Sequence, residues 1–440
     1  MKSINDIELI KHVEKEFGKP IQSTAELHQL KEDVYSVTKK SIGFNTLRRF
    51  FGFLPKTTAN ATTLNTLSNY IGFLNHTTFL KHTHINDAWF QWLRLQEMEV
   101  KDNLTKDDLR FLLQLKLHNK DYVLYFISLL KSLILRRNFN TLYFIFSVKE
   151  LFLLSGNNIA KISNTIGLLF RSLTIKEIKK ATKLAELKLF RETVLYFMID
   201  YSSLYGYYGV FLHEAVKHEK KKEHQLFLKL MINYALFLNG KKTPLVLEKP
   251  MLRDVYPVLH GRYVAHQILT STSVEQEEEI IKTCLASTIN KEDIMLFYIE
   301  IIPALIIQQR VDLMALILDS NYEYLFNLQY WNNKDCENIY LIAEALVAIE
   351  KGNYLDAKNH LKFVDKERSV YDYREYVHVF YLIANYHIAK NTSKTTISSI
   401  EQEFKALIKK LGFHYFNLAF LKKYFDSTRT TGTTATLKRP

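Results

Sequence analysis

The sequence is poor in residues that make turns and cross-links. Its 440 residues include only 13 glycines, 7 prolines and 2 cysteines. So few turn formers exclude a β-sandwich or β-barrel, whose short strands need a turn about every 8 to 12 residues. The two cysteines, Cys284 and Cys336, form no CxxC pair, which excludes a disulfide framework and a cysteine zinc site. We expect both to be buried free thiols.

Apolar and aromatic residues are abundant. Hydrophobic residues make up 47% of the chain, with 29 phenylalanines and 26 tyrosines among its aromatic residues. Global disorder is excluded because this much apolar surface can form large cores. A chain of 440 residues suits two or more units or one extended array. The net charge of +13 is compatible with a polyanionic partner, although such an excess also serves solubility.

No segment has the composition of a signal peptide or a membrane helix. The first turns of the chain carry Asp6, Glu8 and Lys11, where a signal peptide needs apolar residues. The two most apolar windows, residues 122–135 and 296–307, are shorter than the roughly 18 to 20 residues that a membrane helix needs. We therefore expect a cytoplasmic protein without a membrane partner, and we interpret both windows as buried core helices.

Helical periodicity dominates from about residue 104 onward, because apolar residues recur at spacings of three and four. Short polar connections between the helical stretches favour antiparallel helix pairs. An all-α fold is therefore expected. Five serine or threonine residues stand three positions before an acidic or amide residue that completes a helix-capping signature. These signatures are Ser23 with Glu26, Thr105 with Asp108, Thr174 with Glu177, Ser273 with Gln276, and Ser398 with Glu401.

One helix pair near the C-terminus has the composition of a repeat unit. Its predicted helices cover residues 339–351 and 354–364, with Gly352 and Asn353 as the turn. The unit resembles a tetratricopeptide repeat, although Glu344 stands where that family usually has leucine and Ser369 where it often has proline. The residues that carry the resemblance are Leu341, Ala345, Gly352, Tyr354, Ala357, Leu361 and Val364.

The resemblance implies a tetratricopeptide-like α-solenoid of stacked helix hairpins over residues 100–426. Its concave face would accept a peptide or protein partner, or pair with a second copy as a homodimer. Residues 427–440 are rich in threonine and lack apolar periodicity, so we expect a disordered tail.

The N-terminal part, residues 1–86, has a different character. Residues 34–86 contain no acidic residue and six basic ones. Glycine and proline divide this part into short predicted helices, which cover residues 5–17, 24–40, 44–51 and 63–71. Short helices joined by a glycine-containing turn are one way to present a helix to the DNA major groove.

The run at residues 41–52, followed by residues 63–72, resembles the helix-turn-helix of repressor-like DNA-binding domains. Ile42, Leu47 and Phe50 have the spacing of the three buried residues that hold down the recognition helix in that family. The sequence departs from the family at Val37 and Ser41, which replace a small residue and a turn glycine. The resemblance implies binding to double-stranded DNA through base edges and phosphates. The residues assigned to this interface are Asn45, Thr46, Arg48, Arg49, Lys39, Lys40 and Lys56.

No catalytic signature accompanies these features. The phosphate-binding and hydrolase-elbow motifs GxxxxGK[ST], GxGxxG and GxSxG are absent from the sequence. His213 and His218 are five positions apart and cannot face one metal from a helix, so we interpret Glu214 and His218 as a surface pair. No enzyme activity, no cofactor and no metal are expected.

Tyrosines are concentrated in residues 196–208, followed by a lysine-rich stretch at residues 217–222. Such a combination can stack nucleic-acid bases along a groove, but helical core packing with a solvated lysine face is the interpretation we favour.

Together these observations favour a DNA-binding transcriptional regulator with a helical-repeat sensor or assembly domain. The alternative is a protein-interaction scaffold without DNA binding, in which the N-terminal helices only cap the array. A third class, an enzyme of unrecognised type, requires a cleft lined by convergent carboxylates or histidines.

Overall fold

The structure is a computed structural model that describes residues 4–55, 58–82, 88–244, 256–287, 293–325, 333–365, 371–392 and 394–426. Across these residues every regular element is a helix, which confirms the predicted all-α class. None of the helices in the described ranges is long and apolar enough to cross a membrane. The predicted disordered tail, residues 427–440, lies outside the described residues.

The chain divides into two compact units, residues 1–154 and 155–440. The predicted boundary after residue 86 falls within the first unit, and a separate N-terminal domain over residues 1–86 stays a prediction. The helices of the first unit are α1 (Ile4–Glu16), α2 (Thr24–Thr38), α3 (Phe44–Phe51), α4 (Ala61–Tyr70), α5 (His76–His82), α6 (Ala88–Val100), α7 (Lys106–His118), α8 (Tyr122–Leu135) and α9 (Phe139–Phe146).

Helices α1 to α5 enclose a hydrophobic core. Each helix contributes apolar residues at helical spacing, and the turn before α3 adds Ile42. Helix α2 packs against both α3 and α4. The fully or nearly fully buried members of this core are Leu9, Val13, Leu27, Leu30, Val34, Ile42, Leu47, Phe50, Leu67, Tyr70 and Phe79.

The second unit contains fourteen α-helices within the described residues. A π-helical turn, Arg191–Leu195, extends the short helix α12. The helices are α10 (Gly156–Arg171), α11 (Ile175–Ala181), α12 (Lys188–Phe190), α13 (Tyr207–His218), α14 (Lys222–Leu238), α15 (Pro257–Thr270), α16 (Val274–Ala286), α17 (Ile294–Ile307), α18 (Val311–Leu325), α19 (Asn333–Glu350), α20 (Tyr354–Phe363), α21 (Tyr371–Thr392), α22 (Ile397–Leu411) and α23 (Leu418–Lys422).

Helices α15, α17, α19 and α21 pack on one another in that order, while successive helices from α17 to α22 also pack as neighbours. Helix α17 lies at the centre and is buried on nearly all sides, as its apolar sequence predicts. Glycine allows its close contact with α15, because a Cβ atom at Gly261 would lie 2.2 Å from the carbonyl oxygen of Phe297. This order of packing is the one that stacked helix pairs produce, and the predicted solenoid stays a prediction.

The helix pair that resembles a tetratricopeptide repeat is formed by α19 and α20. The turn between them contains Gly352 with a φ of 72°, in the left-handed region that favours glycine. Ala345 and Ala357 are fully buried, so the two helices meet through small side chains. Glu344, at the position where leucine is usual, lies 2.9 Å from His360 across the pair. Membership of the tetratricopeptide family stays a prediction.

The capping signatures agree with the structure in four of five cases. Reciprocal capping boxes form at Ser23, Thr105 and Thr174. The hydroxyl of Ser273 accepts a hydrogen bond from the amide of Gln276. The prediction at Ser398 is wrong, because α22 begins one residue earlier, at Ile397, and Thr396 is the N-cap residue. Both cysteines are buried and free, as predicted.

Candidate nucleic-acid interface

The candidate interface is built on α2, the following turn and α3. Helix α2 ends at Thr38, and Lys39 caps it in the left-handed conformation with a φ of 54°. The amide of Lys39 donates to the carbonyl of Tyr35 at 2.9 Å. Helix α3 then begins at Phe44 and ends at Phe51, with the bounds that the sequence predicts.

The residues predicted to hold α3 in place are buried. Ile42 is 5% exposed, Leu47 is fully buried and Phe50 is 3% exposed. All three belong to the core of helices α1 to α5. One face of α3 is therefore anchored to α2 and α4, and the opposite face is left for solvent or for a partner.

Helix α3 is short because its C-terminus is sharply closed. Gly52 adopts a φ of 93°, and its amide donates to the carbonyl of Arg48. The amides of Phe53 and Leu54 donate to the same carbonyl, at 2.7 and 3.2 Å. Three amides on one acceptor end the helix after two turns and fix the direction in which the chain leaves it.

The exposed face of α3 carries two of the predicted contact residues. Asn45 and Arg49 are exposed and lie one helical turn apart, so their side chains share a face. Thr46 and Arg48 are half-buried at the margins of that face. The Arg48 guanidinium carbon lies 5.9 Å from the centroid of the Phe44 ring, which keeps this side chain along the helix.

Two predicted lysines stand at the C-terminal end of α2, directly before the turn. Lys39 and Lys40 are both exposed. The ammonium group of Lys40 donates to Oδ1 of Asn69 at 3.1 Å, and the Asn69 amide nitrogen donates to the carbonyls of Phe73 and Leu74. Lys40 therefore joins α2 to the end of α4. Lys56, the remaining predicted contact, lies outside the described residues.

Asp33 is the last acidic residue before the basic stretch, and its carboxylate accepts a hydrogen bond from the hydroxyl of Tyr70. Burial and the adjoining carboxylate raise the pKa of Tyr70 above its ordinary value, so this hydroxyl remains a donor. The negative charge nearest in sequence to Lys39 and Lys40 is thus bound within the core helices.

A second polar cluster, which sequence analysis did not predict, lies in the core of the second unit. Arg262 on α15 and Glu300 on α17 are 1% and 2% exposed, and Nη1 of Arg262 donates to Glu300 at 3.2 Å. The hydroxyl of Tyr201 donates to the same carboxylate, and the Arg262 guanidinium lies 4.0 Å from the ring centroid of Tyr234. The Tyr234 and Tyr376 hydroxyls are 2.6 Å apart.

The tyrosine-rich segment supplies part of this cluster. Tyr201, Tyr207 and Tyr208 are 1%, 4% and 0% exposed, so core packing describes these three better than a stacking groove. Glu214 and His218 form the predicted pair, with a side-chain separation of 3.1 Å.

One signal in the sequence points toward the buried cluster. Glu300 lies within an apolar window, and a carboxylate there requires a buried partner. The sequence does not identify Arg262 as that partner. Comparison of the chain with protein-family models, curated proteins and solved structures finds no match.

Proposed function

We infer that the protein binds double-stranded DNA through α3 and the end of α2. In this proposal the exposed face of α3 enters the major groove, where Arg49 and Asn45 contact base edges. Lys39 and Lys40 neutralise phosphates next to the groove, and Arg48 does so from the margin of the helix.

The observation that carries the proposal is the division of α3 into two faces. Leu47 and Phe50 are buried on one face, while Asn45 and Arg49 are exposed on the other. An arginine and an asparagine are the side chains best suited to bidentate contacts with guanine and adenine. The absence of acidic residues from positions 34–86 of the sequence supports the same proposal, because phosphates repel carboxylates.

The second unit acts, in this proposal, as the sensor or assembly domain of a transcriptional regulator. Its helix pairs offer a surface for a peptide or protein, or for a second copy of the chain. Regulation follows if that partner binds one arrangement of the DNA-binding units better than another.

Replacing Arg49 tests the assignment of α3. Arg49→Ala removes one exposed charge, and it should weaken duplex affinity by about 1–3 kcal/mol at the preferred site. Lys11→Ala is the matched control, because Lys11 is an exposed cation on α1 of the same unit. Equal, small effects of both substitutions would show that α3 has no special role and would favour the scaffold alternative.

A further inference from the structure

Arg262 is buried with half of its hydrogen-bonding capacity unused. Its Nη1 donates to Glu300, but Nε and Nη2 are buried and have no hydrogen-bond partner. These two nitrogens form one edge of the guanidinium, and their parallel N–H groups match the two oxygens of a carboxylate. A buried donor without an acceptor costs about 1–3 kcal/mol, and more when it is charged. An acceptor is therefore missing at this edge.

Other buried arginines of the same unit show what normally fills that edge. In Arg310, which is also 1% exposed, Nε and Nη2 donate to the two oxygens of Asp312 at 2.9 and 2.6 Å. In Arg171 the same two nitrogens donate to the two oxygens of Asp200 at 2.9 and 2.5 Å. In Arg191, Nε donates to Glu219 at 3.0 Å. A carboxylate occupies the edge in each of these three residues.

The space beside Arg262 is a small cavity between α14 and α15. It encloses about 200 Å³. This is less than the roughly 300–1,000 Å³ of sites for drug-sized ligands, so it suits an occupant of only a few atoms. The lining combines apolar side chains with a small number of polar ones. These residues are Leu230, Asn233, Tyr234, Phe237, Thr243, Arg262, His266 and Leu269.

We propose that this cavity binds a small carboxylic acid, whose carboxylate takes the free edge of Arg262 and whose short apolar tail contacts Leu230, Phe237 and Leu269. The site goes beyond the proposed DNA binding and does not depend on it. It would give the second unit a small-molecule ligand in addition to any peptide or protein partner.

The surrounding charges tolerate such a ligand. Glu300 already accepts hydrogen bonds from Tyr201 and Arg262, and Tyr373 lies 3.5 Å from the same carboxylate. Burial raises the pKa of Glu300, which makes it easier for this group to take up a proton when a second carboxylate arrives. His266, at the cavity wall, has a pKa lowered to about 4 by burial and by Arg262, so it is neutral near pH 7.

The test uses the full chain, with sodium propanoate and propanamide as probes at constant ionic strength. Propanamide has nearly the same shape but no charge. Saturation-transfer NMR and the thermal unfolding midpoint should report saturable binding of propanoate, with propanamide at least about tenfold weaker. Equal binding of both probes, or no saturable binding of propanoate, would overturn the proposal.

Two substitutions identify the residue responsible. Arg262→Lys keeps a cation beside Glu300 but removes the paired N–H groups, so propanoate binding should fall at least about tenfold. Arg310→Lys is the matched control, because Arg310 is equally buried but already has a carboxylate on that edge; it should leave propanoate affinity unchanged. Equal loss in both variants would contradict the assignment to Arg262. The comparison of propanoate with propanamide on the unaltered protein decides the question if Arg262→Lys does not fold.

Discussion

The imidazole ring of His28 on α2 stacks on the phenyl ring of Phe44 on α3, with centroids 3.7 Å apart and planes inclined by 23°. The stack fixes the first residue of α3 to the middle of α2. Because Phe44 also lies beneath Arg48, this contact helps to set the direction of the proposed DNA-binding face.

Replacing His28 should therefore weaken DNA binding through geometry. His28→Ala should lower the free energy of unfolding by about 1 kcal/mol and reduce duplex affinity several-fold at pH 8, where an ordinary histidine is neutral. The measurements are urea denaturation and fluorescence anisotropy. His12→Ala is the control, because His12 makes an edge contact with Phe79 from α1. DNA affinity that is unchanged in His28→Ala would remove the proposed role of the stack.

The capping box of α2 should contribute measurably to stability. The hydroxyl of Ser23 accepts from the amide of Glu26, and the Glu26 carboxylate accepts from the amide of Ser23 at 2.9 Å. Ser23→Ala should lower the free energy of unfolding by about 1 kcal/mol, measured by urea denaturation. Ser36→Ala in the same helix should have a smaller effect, since Ser36 only donates to the carbonyl of Asp33. The reverse order would contradict the cap.

Stability should decrease below about pH 6.5 partly because of His387. Burial, assisted by Lys390, lowers its pKa to about 4, and its Nε2 lies 2.8 Å from the carbonyl of Leu421. The unfolded chain takes up this proton near pH 6.5, whereas the folded chain takes it up near pH 4, so the native state loses stability as pH falls between these values.

For His387 alone the loss should be at most about 3 kcal/mol between pH 7 and pH 4. His387→Gln should therefore show a shallower decline than the unaltered protein in urea denaturation at a series of pH values. Parallel curves for the two proteins would show that His387 does not titrate in this way.

Close packing of α15 on α17 predicts an unusual effect of a helix glycine. Replacing an interior helix glycine with alanine ordinarily stabilises a helix by about 1 kcal/mol. Gly261→Ala should instead lower the thermal unfolding midpoint, because the new Cβ would collide with the Phe297 carbonyl. Gly156→Ala is the control, since no atom lies within 4 Å of the Cβ position there. A midpoint that is unchanged or raised by Gly261→Ala would contradict this packing.

Local patterns predicted the parts of the fold that depend on neighbouring residues. The bounds of α3 follow from glycines on either side of an apolar and basic stretch, and the burial of Leu47 and Phe50 follows from helical spacing. Capping boxes are equally local, so three were predicted from residues three positions apart. At Ser398 the same rule failed, because α22 begins after a different cap, at Thr396.

The buried cluster could not be predicted because its members come from distant parts of the chain. Tyr201 reaches Glu300 across 99 positions, and Tyr234 reaches Tyr376 across 142. Glycine at position 261 matters only because α17 lies against it. Helical periodicity identifies which face of each helix is buried, but it does not identify the helix on the other side.

The measurement that tests the central proposal most directly is fluorescence anisotropy of the full chain with duplex DNA, from about 50 to 300 mM salt. The proposed contacts predict that the logarithm of affinity falls linearly with the logarithm of salt, with a slope of about −0.9 for each neutralised phosphate. They also predict that Arg49→Ala makes the slope shallower while Lys11→Ala does not. No binding at the lowest salt, or a slope that is the same in both variants, would contradict DNA binding through α3.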